Sequence, residues 1–494
     1  MQMKVLLVYP EFPITFWSFT HALKFIGKKA SLPPLGILTV ASMLPKEWDM
    51  KLVDMNAHKL RDSDLQWADY VFISAMNIQQ ESTRQVIARS KSLGKKIVGG
   101  GPLFSTDPNS FDDVDHLLLY EGEACIPEFL RDMANNTLKR KYDFVGFPEL
   151  CQTPVPAWHL VDLDDYAMLS IQYSRGCPFH CDFCNVVSLF GHKPRTKTSS
   201  QIINELETIY STGWRGRIFF VDDNLIGNKK LVKQDLLPAI IRWSQERNYP
   251  FSFYTEASIN IADDLELMNL MTDAGFDSAF IGIETVDENS LEECGKLQNK
   301  KRDLVETVKH IQRNGIQVLG GFILGFDNDK TSSFDSMIEF IQESGIITSM
   351  VGMLNAPLGT KLFERMKEEG RIIEGEFTGS NEMRPNFITK MPMDELVNGY
   401  YRVVNTIYKP KYFYTRIKTF LKNYQPKKHK GKKSGFGSLS AFFNSCLHLG
   451  ILSKGRLHYW KLLIWSLTKG KSTFSLAVKF SIYGYHYRKC AEQG

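Results

Sequence analysis

Long apolar runs are missing from this 494-residue chain. Residues 434–453 carry no formal charge, but only half of them are apolar, so no run has the roughly 20 apolar residues that a bilayer-spanning helix needs, which excludes a membrane-embedded bundle. The apolar run at the start is too short for a secretory signal, and Pro10 and Glu11 end it. It reads as a buried first strand, and the chain as cytoplasmic. Cysteine is scarce, with 8 residues, so there is no disulfide framework. No G-x-G-x-x-G follows the first strand, which argues against a nicotinamide dinucleotide. Acid almost vanishes towards the end. Residues 401–494 carry 19 Lys+Arg against Glu492 alone, a net +18, which leaves −13 on residues 1–400. Such a split marks a tail that meets a polyanion: a membrane surface, nucleic acid or an acidic partner. A core is present. With 43% hydrophobic and 23% charged residues, the chain is neither disordered nor collagen-like, and its length suggests about three domains.

Residues 1–135 alternate short Val/Leu/Ile runs, near 4–9, 50–54, 70–74, 96–99 and 116–119, with helix-length segments. Unbroken apolar strands indicate a parallel sheet covered on both faces, a doubly wound (Rossmann-like) α/β domain that binds ligands at the carboxyl ends of its strands. The loops there are Met76-Asn77, Gly99-Gly100-Gly101 and Glu121-Gly122-Glu123. Three consecutive glycines let backbone approach a bulky ligand, or simply make a tight turn. Residues 136–168, with Pro148, Pro154 and Pro156, read as a linker. Residues 169–370 repeat strand and helix six times, near 169–174, 217–221, 251–256, 279–284, 318–324 and 349–354, which predicts a partial (βα)6 TIM-like barrel. A mainly helical extension, 371–425, precedes a basic, aromatic-rich tail, 426–494. Lys427 to Gly435 reads as a solvated linker. Leu439, Phe442, Phe443 and Cys446 share one helical face of the tail, and Leu457, Trp460, Ile464 and Leu467 share another. These suit interfacial helices or, equally, helices packed on the barrel.

Cys177, Cys181 and Cys184 form a C-x3-C-x2-C loop just after the first barrel strand. Three thiolates on one tight loop can hold three irons of a 4Fe-4S cluster, which leaves one iron open because no fourth cysteine lies near in sequence. The alternative is structural zinc with His180 or His192, although zinc cysteines usually come as C-x2-C pairs.

This spacing and position resemble the radical S-adenosylmethionine superfamily. The resemblance implies that Cys177, Cys181 and Cys184 are the catalytic cluster ligands and that Phe183 lies by the adenine. It implies that Asp222 and Asp223 form the turn holding the methionyl amine, where relatives usually have G-G-E. Glu256 ends strand three, Glu284 meets the ribose, and Leu324, in Gly321-Phe322-Ile323-Leu324-Gly325-Phe326, lies beside the adenine. Each acid alone could equally be a barrel-top helix cap. An α/β domain before such a barrel resembles the cobalamin-binding domain of the cobalamin-dependent (class B) enzymes. Pro33-Pro34-Leu35-Gly36, Ser74 to Gln79, Gln172 to Cys177, Phe220 to Asn228 and Thr255 to Ala262 resemble the group of hopanoid C-2 methylases and bacteriochlorophyll side-chain methyltransferases. One departure concerns the D-x-H-x-x-G stretch of many cobalamin proteins. Asn56 stands at the histidine position, Lys59 replaces the glycine and His58 falls two residues late. No histidine is then expected below the cobalt, and Met76 or Asn77 lies near it instead.

The resemblance implies a 4Fe-4S cluster, S-adenosyl-L-methionine and methylcobalamin. A 5′-deoxyadenosyl radical takes hydrogen from an unactivated carbon of a hydrophobic lipid- or tetrapyrrole-like substrate, which then accepts the methyl group. A flavodoxin- or ferredoxin-type donor supplies the electron. The tail suggests peripheral contact with the inner face of the membrane. Two alternatives stay open: a radical cyclase or ring-rearranging enzyme with the same cofactors, and an iron–sulfur tRNA-modifying or nucleic-acid-binding protein. The greasy helical faces of the tail weigh against the second.

Overall fold

Val5, Leu6, Leu7 and Val8 are all inaccessible to solvent, because strand β1, Lys4–Tyr9, lies between two cores. Leu6 and Val8 pack with Val71, Ile73 and Ile97 on one face, and Val5 and Leu7 with Phe72 and Val98 on the other. The computed structural model describes residues 2–144, 146–373, 384–429 and 439–493. β2 (Asp49–Asp54), β3 (Tyr70–Ser74), β4 (Lys96–Gly100), β5 (His116–Leu118) and β6 (Lys141–Tyr142) join β1 in one parallel sheet, in the order 2-1-3-4-5-6. The order reverses between β1 and β3, so the ligand crevice of such a sheet opens beyond their carboxyl ends.

The expected linker is more structured than its prolines suggest. Residues 136–168 supply β6 and three short 3-10 turns, and they bury Leu150, Trp158 and Tyr166. Each burial anchors the connection between the two sheets, so it is not a free tether.

The second sheet is also parallel. β7 (Met168–Ile171) is followed by a two-residue hairpin, β8 (Ser174–Arg175) against β9 (Arg195–Thr196). Then come β10 (Arg217–Phe220), β11 (Ser252–Glu256), β12 (Phe276–Glu284), β13 (Gln317–Leu324) and β14 (Ser349–Met353) in sequential order. Six strands leave β7 and β14 as unjoined edges. Two distant segments pack at that gap. Ala30 bridges to Tyr166 just before β7, and Tyr487 Oη donates to Thr348 Oγ1 just before β14 at 3.1 Å. Phe19 stacks on His486 at 5.3 Å.

The tail is therefore part of the barrel's closure. Helix Lys471–Gln493 buries Ala477, Phe480 and Tyr487, and helix Arg456–Leu467 buries Tyr459, Leu462 and Leu463. The faces read from the sequence stay largely exposed, through Leu439, Phe443, Leu457, Ile464 and Leu467, and it is the opposite faces of the same helices that pack on the barrel. Residues 430–435 of the expected linker lie outside the described residues.

Candidate functional site

The hairpin β8–β9 throws out residues 176–194 as a loop at the carboxyl end of β7. Gly176 starts it at φ +93°, and a Cβ there would lie 2.8 Å from Gly191 O and 3.0 Å from Lys193 O and Phe190 O, so no side chain fits. Cys177 N donates to Gly191 O at 3.2 Å, and Asp182 N donates to Cys294 O at 3.0 Å, which pins the loop to the end of helix Glu288–Glu293. Burial pushes all three thiols up, Cys184 to about 12. Buried thiols of this kind give up their protons to a bound metal.

The donor set fits a cluster better than a single ion. Tetrahedral zinc draws its sulfurs to within about 4 Å of one another, given Zn–S bonds of about 2.3 Å. Among the described residues, the one trio of His, Cys, Asp or Glu ligand atoms within 4.8 Å of one another is His21, His486 and Cys490, not the loop cysteines. His180 and His192 lie against each other at the exposed surface, their rings tilted by 37° with centroids 3.9 Å apart.

The two aspartates after β10 do work that their position did not suggest. Asp222 Oδ2 accepts from Tyr173 N at 3.2 Å, and its Oδ1 accepts from Ser174 N and, at 2.5 Å, from Ser174 Oγ. Asp223 Oδ2 accepts from Gly176 N at 3.0 Å. Both carboxylates thus hold the backbone that enters the cysteine loop, and Asp222 has both oxygens committed there rather than offered to a methionyl amine. Burial raises Asp222 to about 7 and Asp223 to about 6. No hydrogen bond is among the causes that shift the Glu256 carboxyl, at the end of β11. Burial, and then Asp223 and Asp222, push its carboxyl up to about 8. Stability from its protonated form is full below the ordinary value of 4.5 and is lost as pH rises through about 8. Glu256→Gln abolishes that dependence. Its advantage in Tm over the parent should widen from about pH 4.5 to about pH 8 and then level off. A constant gap across that range would show an ordinarily ionised Glu256.

Glu284 closes β12 with a left-handed backbone, φ +63°, at a shift of register against β13. Its Oε1 meets Lys296 Nζ at 2.6 Å. A Cβ on Gly282 would lie 2.7 Å from Lys296 Nζ and against the Glu284 carboxylate, so a larger residue there would have to displace this ion pair. Burial works against the Lys296 cation, but Glu284 and then the Cys181 thiol raise its pKa. Sequence reasoning missed this lysine. The signal available was Gly295, whose φ of +70° turns the chain back beneath the cysteine loop. Phe183 meets Phe326 edge-on at 6.4 Å and shares an apolar cluster with Ile323 and Phe326. Leu324 is buried in the main barrel core.

In the first domain the glycine run serves internal packing. A Cβ on Gly99 would lie 2.9 Å from the Phe104 ring, one on Gly100 3.4 Å from Leu118 O, and one on Gly101 (φ +92°) 2.9 Å from Ala75 O. Gly122 faces Val40 at 3.3 Å. After β3, Met76 is 47% exposed, and the buried Asn77 Oδ1 has no hydrogen-bond partner, an orphaned acceptor at the crevice mouth. Asn56 is committed, accepting from Phe12 N at 2.9 Å and donating to Pro10 O at 3.1 Å. His58 Nε2 pairs with Asp165 Oδ2 at 2.6 Å. Asn56 and His58 are thus both held by partners within the protein.

Glu121 and Glu123, expected at the cofactor, reach across to the barrel. Glu121 accepts from Arg175 Nη1 at 2.6 Å and from Arg195 Nη2 and Nη1 at 2.6 and 3.0 Å. Glu123 accepts from Arg175 Nη2 at 2.8 Å and from Thr153 Oγ1 at 2.7 Å. Arg175 stands two residues before Cys177, so this buried network ties the carboxyl edge of the first sheet to the root of the cysteine loop.

Family models match the chain in three places: "B12 binding domain" over residues 29–130, "Radical SAM superfamily" over 171–341 and "Domain of unknown function (DUF4070)" over 360–494. An uncharacterized methyltransferase of Synechocystis is 37% identical, over 99% of this chain and 92% of its own length. Hopanoid C-2 methylase of Rhodopseudomonas palustris is 31% identical, over 94% and 90%. The solved structure of the cobalamin-dependent S-adenosylmethionine radical enzyme OxsB with aqua-cobalamin covers all of this chain, and the match spans 81% of OxsB at a TM-score of 0.61 and 16% identity, a likeness of fold.

Proposed function

Because the chain belongs to the cobalamin-dependent radical S-adenosylmethionine methyltransferases, we propose that its substrate is a hydrophobic polycycle of lipid or tetrapyrrole type. The observation that carries this reading is the half-exposed Trp17 packed over Phe280, an apolar surface in register with the end of β11. When bound, the cluster with S-adenosylmethionine supplies a hydrogen-abstracting 5′-deoxyadenosyl radical and cobalamin supplies the methyl group.

The chain's own residues provide the setting. Cys177, Cys181 and Cys184 would hold the cluster, with Asp222 and Asp223 fixing the loop's entry. Phe183, Ile323 and Phe326 form an apolar wall for the adenine, and Lys296 with Glu284 sets a buried ion pair beside the sulfurs. Trp17 packs over Phe280 at 5.0 Å while staying 48% exposed, and Phe280 is in register with Glu256. An apolar ring system seated there would keep water from the radical. A flavodoxin- or ferredoxin-type donor is the matching reductant. All eight cysteines stand unpaired, which suits a reducing cytoplasm. No helix among the described residues is long and apolar enough to cross a membrane, and we read the basic tail as the part that meets the membrane surface.

The test is anaerobic turnover of a hopanoid lipid with methyl-deuterated S-adenosylmethionine, cobalamin and a low-potential reductant. A product heavier by one deuterated methyl supports the reading. Loss of hydrogens without methyl gain supports oxidative cyclisation instead.

A further inference from the structure

Two stripes of large apolar side chains remain uncovered on the C-terminal helices. Phe443, Leu447 and Ile451 recur every four residues along Leu439–Ser445 and Cys446–Ile451. Leu457, Ile464 and Leu467 line helix Arg456–Leu467. All six are between 46% and 69% exposed. The stripes border each other, because Trp460 Nε1 donates to Gly450 O at 3.0 Å and joins the two helices. Their opposite faces, through Leu449, Tyr459 and Leu462, are fully buried, so the helices are held rigidly with the apolar stripes outward. Patches of this extent rarely face water without a partner.

Charge selects the partner. Lys454, Arg456, Lys461, Lys469 and Lys471 lie exposed around the stripes, and no acidic residue occurs between Glu395 and Glu492. A second copy meeting face to face would press cation against cation. An anionic lipid surface would satisfy both the apolar stripes and the basic rim. The same helices touch the segment that reaches the barrel mouth. Asn444 Nδ2 donates to Phe25 O at 3.4 Å, and the His448 ring packs edge-on against Phe25 at 5.4 Å. On that segment Ile26 and Trp17 are 44% and 48% exposed, and Trp17 leads to Phe280 inside the barrel.

We propose that these stripes insert into the headgroup region of an anionic bilayer, with the helices lying flat, so that a lipid-soluble substrate passes along Ile26 and Trp17 into the barrel. The proposal rests on the hydrophobic-substrate reading above and names the surface that serves it. Truncating the tail would remove the barrel-closing helix, so point variants of the full chain are the proper test.

Cluster-loaded protein is floated with phosphatidylcholine vesicles, with and without phosphatidylglycerol. The parent should float with the anionic vesicles and much less with the neutral ones. Leu457→Ser/Ile464→Ser/Leu467→Ser should weaken anionic binding by about 100-fold or more, since three buried aliphatic side chains are lost from the lipid phase. Lys454→Gln/Lys461→Gln/Lys469→Gln should weaken it by about fivefold per lysine and flatten its salt dependence. Vesicle-free formation of 5′-deoxyadenosine should stay level in all three proteins, which certifies their fold. A parent that stays unbound, a serine variant that binds like the parent, or a dimer in light scattering that the serine variant abolishes would overturn the proposal. Absence of 5′-deoxyadenosine from a parent that floats would strike at the radical reading and leave the docking surface standing.

Discussion

Cys181→Ala should bring reductive cleavage of S-adenosylmethionine down to that of iron-stripped protein. Losing a residue that only hydrogen-bonds to a metal ligand costs roughly 10–100-fold, and losing one of three ligands should exceed that. The reason lies in the loop's geometry. Gly176 and Gly191 bring the chain too close for any side chain, Asp222 and Asp223 fasten its entry, and Cys294 O holds its middle. The remaining sulfurs cannot shift to cover the vacancy. Iron content should fall with activity, while cobalamin binding, which belongs to the other sheet, should persist. A Cys181→Ala protein that still forms 5′-deoxyadenosine would show that another donor completes the cluster.

The second large effect is expected at Glu121. Its side chain is 2% exposed and lies between the Arg175 and Arg195 guanidinium groups. Glu121→Gln removes the one carboxylate that pairs with Arg195, and stranding a buried charge costs about 3–5 kcal/mol. The expected readout is an earlier thermal transition, followed separately in each domain because a chain of this size does not unfold in two states. Glu121→Leu/Arg195→Leu should recover much of the loss, since replacing both partners by apolar groups is often close to neutral. The network also sets an acid limit. Burial by itself would raise Glu123, but Arg175 and Thr153 hold its carboxyl at about 2. Its contribution is therefore present above the ordinary value of 4.5 and lost as pH falls towards about 2, which should loosen the two sheets from each other in that window. If Glu121→Gln melts like the parent, the sheets are held together by other contacts.

What could be read from the sequence follows from range. The strands were legible because parallel strands buried on both faces carry unbroken Val/Leu/Ile, as at Val5 to Val8. The cysteine loop was legible because its three cysteines lie within eight residues of one another. Asp222 and Asp223 were legible as site acids but not in their role, because the amides they hold, at Tyr173, Ser174 and Gly176, lie in another βα unit. The arginine partners of Glu121 and Glu123 stayed hidden for the same reason. The two glutamates sit at the ligand edge of one sheet, and nothing near them announces Arg175 and Arg195. The glycine run looked like a ligand cradle, but its close neighbours are Phe104 and the Ala75 backbone. The last helix, Lys471–Gln493, left no periodic signal because it is buried on several sides at once, through Ala477, Phe480 and Tyr487, which erases the two-faced pattern that periodicity detects.

The central claim is that three sulfurs hold a cluster with one iron free for S-adenosylmethionine. The most direct measurement is the electron paramagnetic resonance spectrum of the anaerobically reconstituted, reduced protein before and after adding S-adenosylmethionine, with 5′-deoxyadenosine quantified in the same tube. A reduced-cluster signal that changes shape on addition, together with 5′-deoxyadenosine, is the predicted result. A bound zinc ion, or a cluster signal that ignores S-adenosylmethionine and yields no 5′-deoxyadenosine, would contradict it.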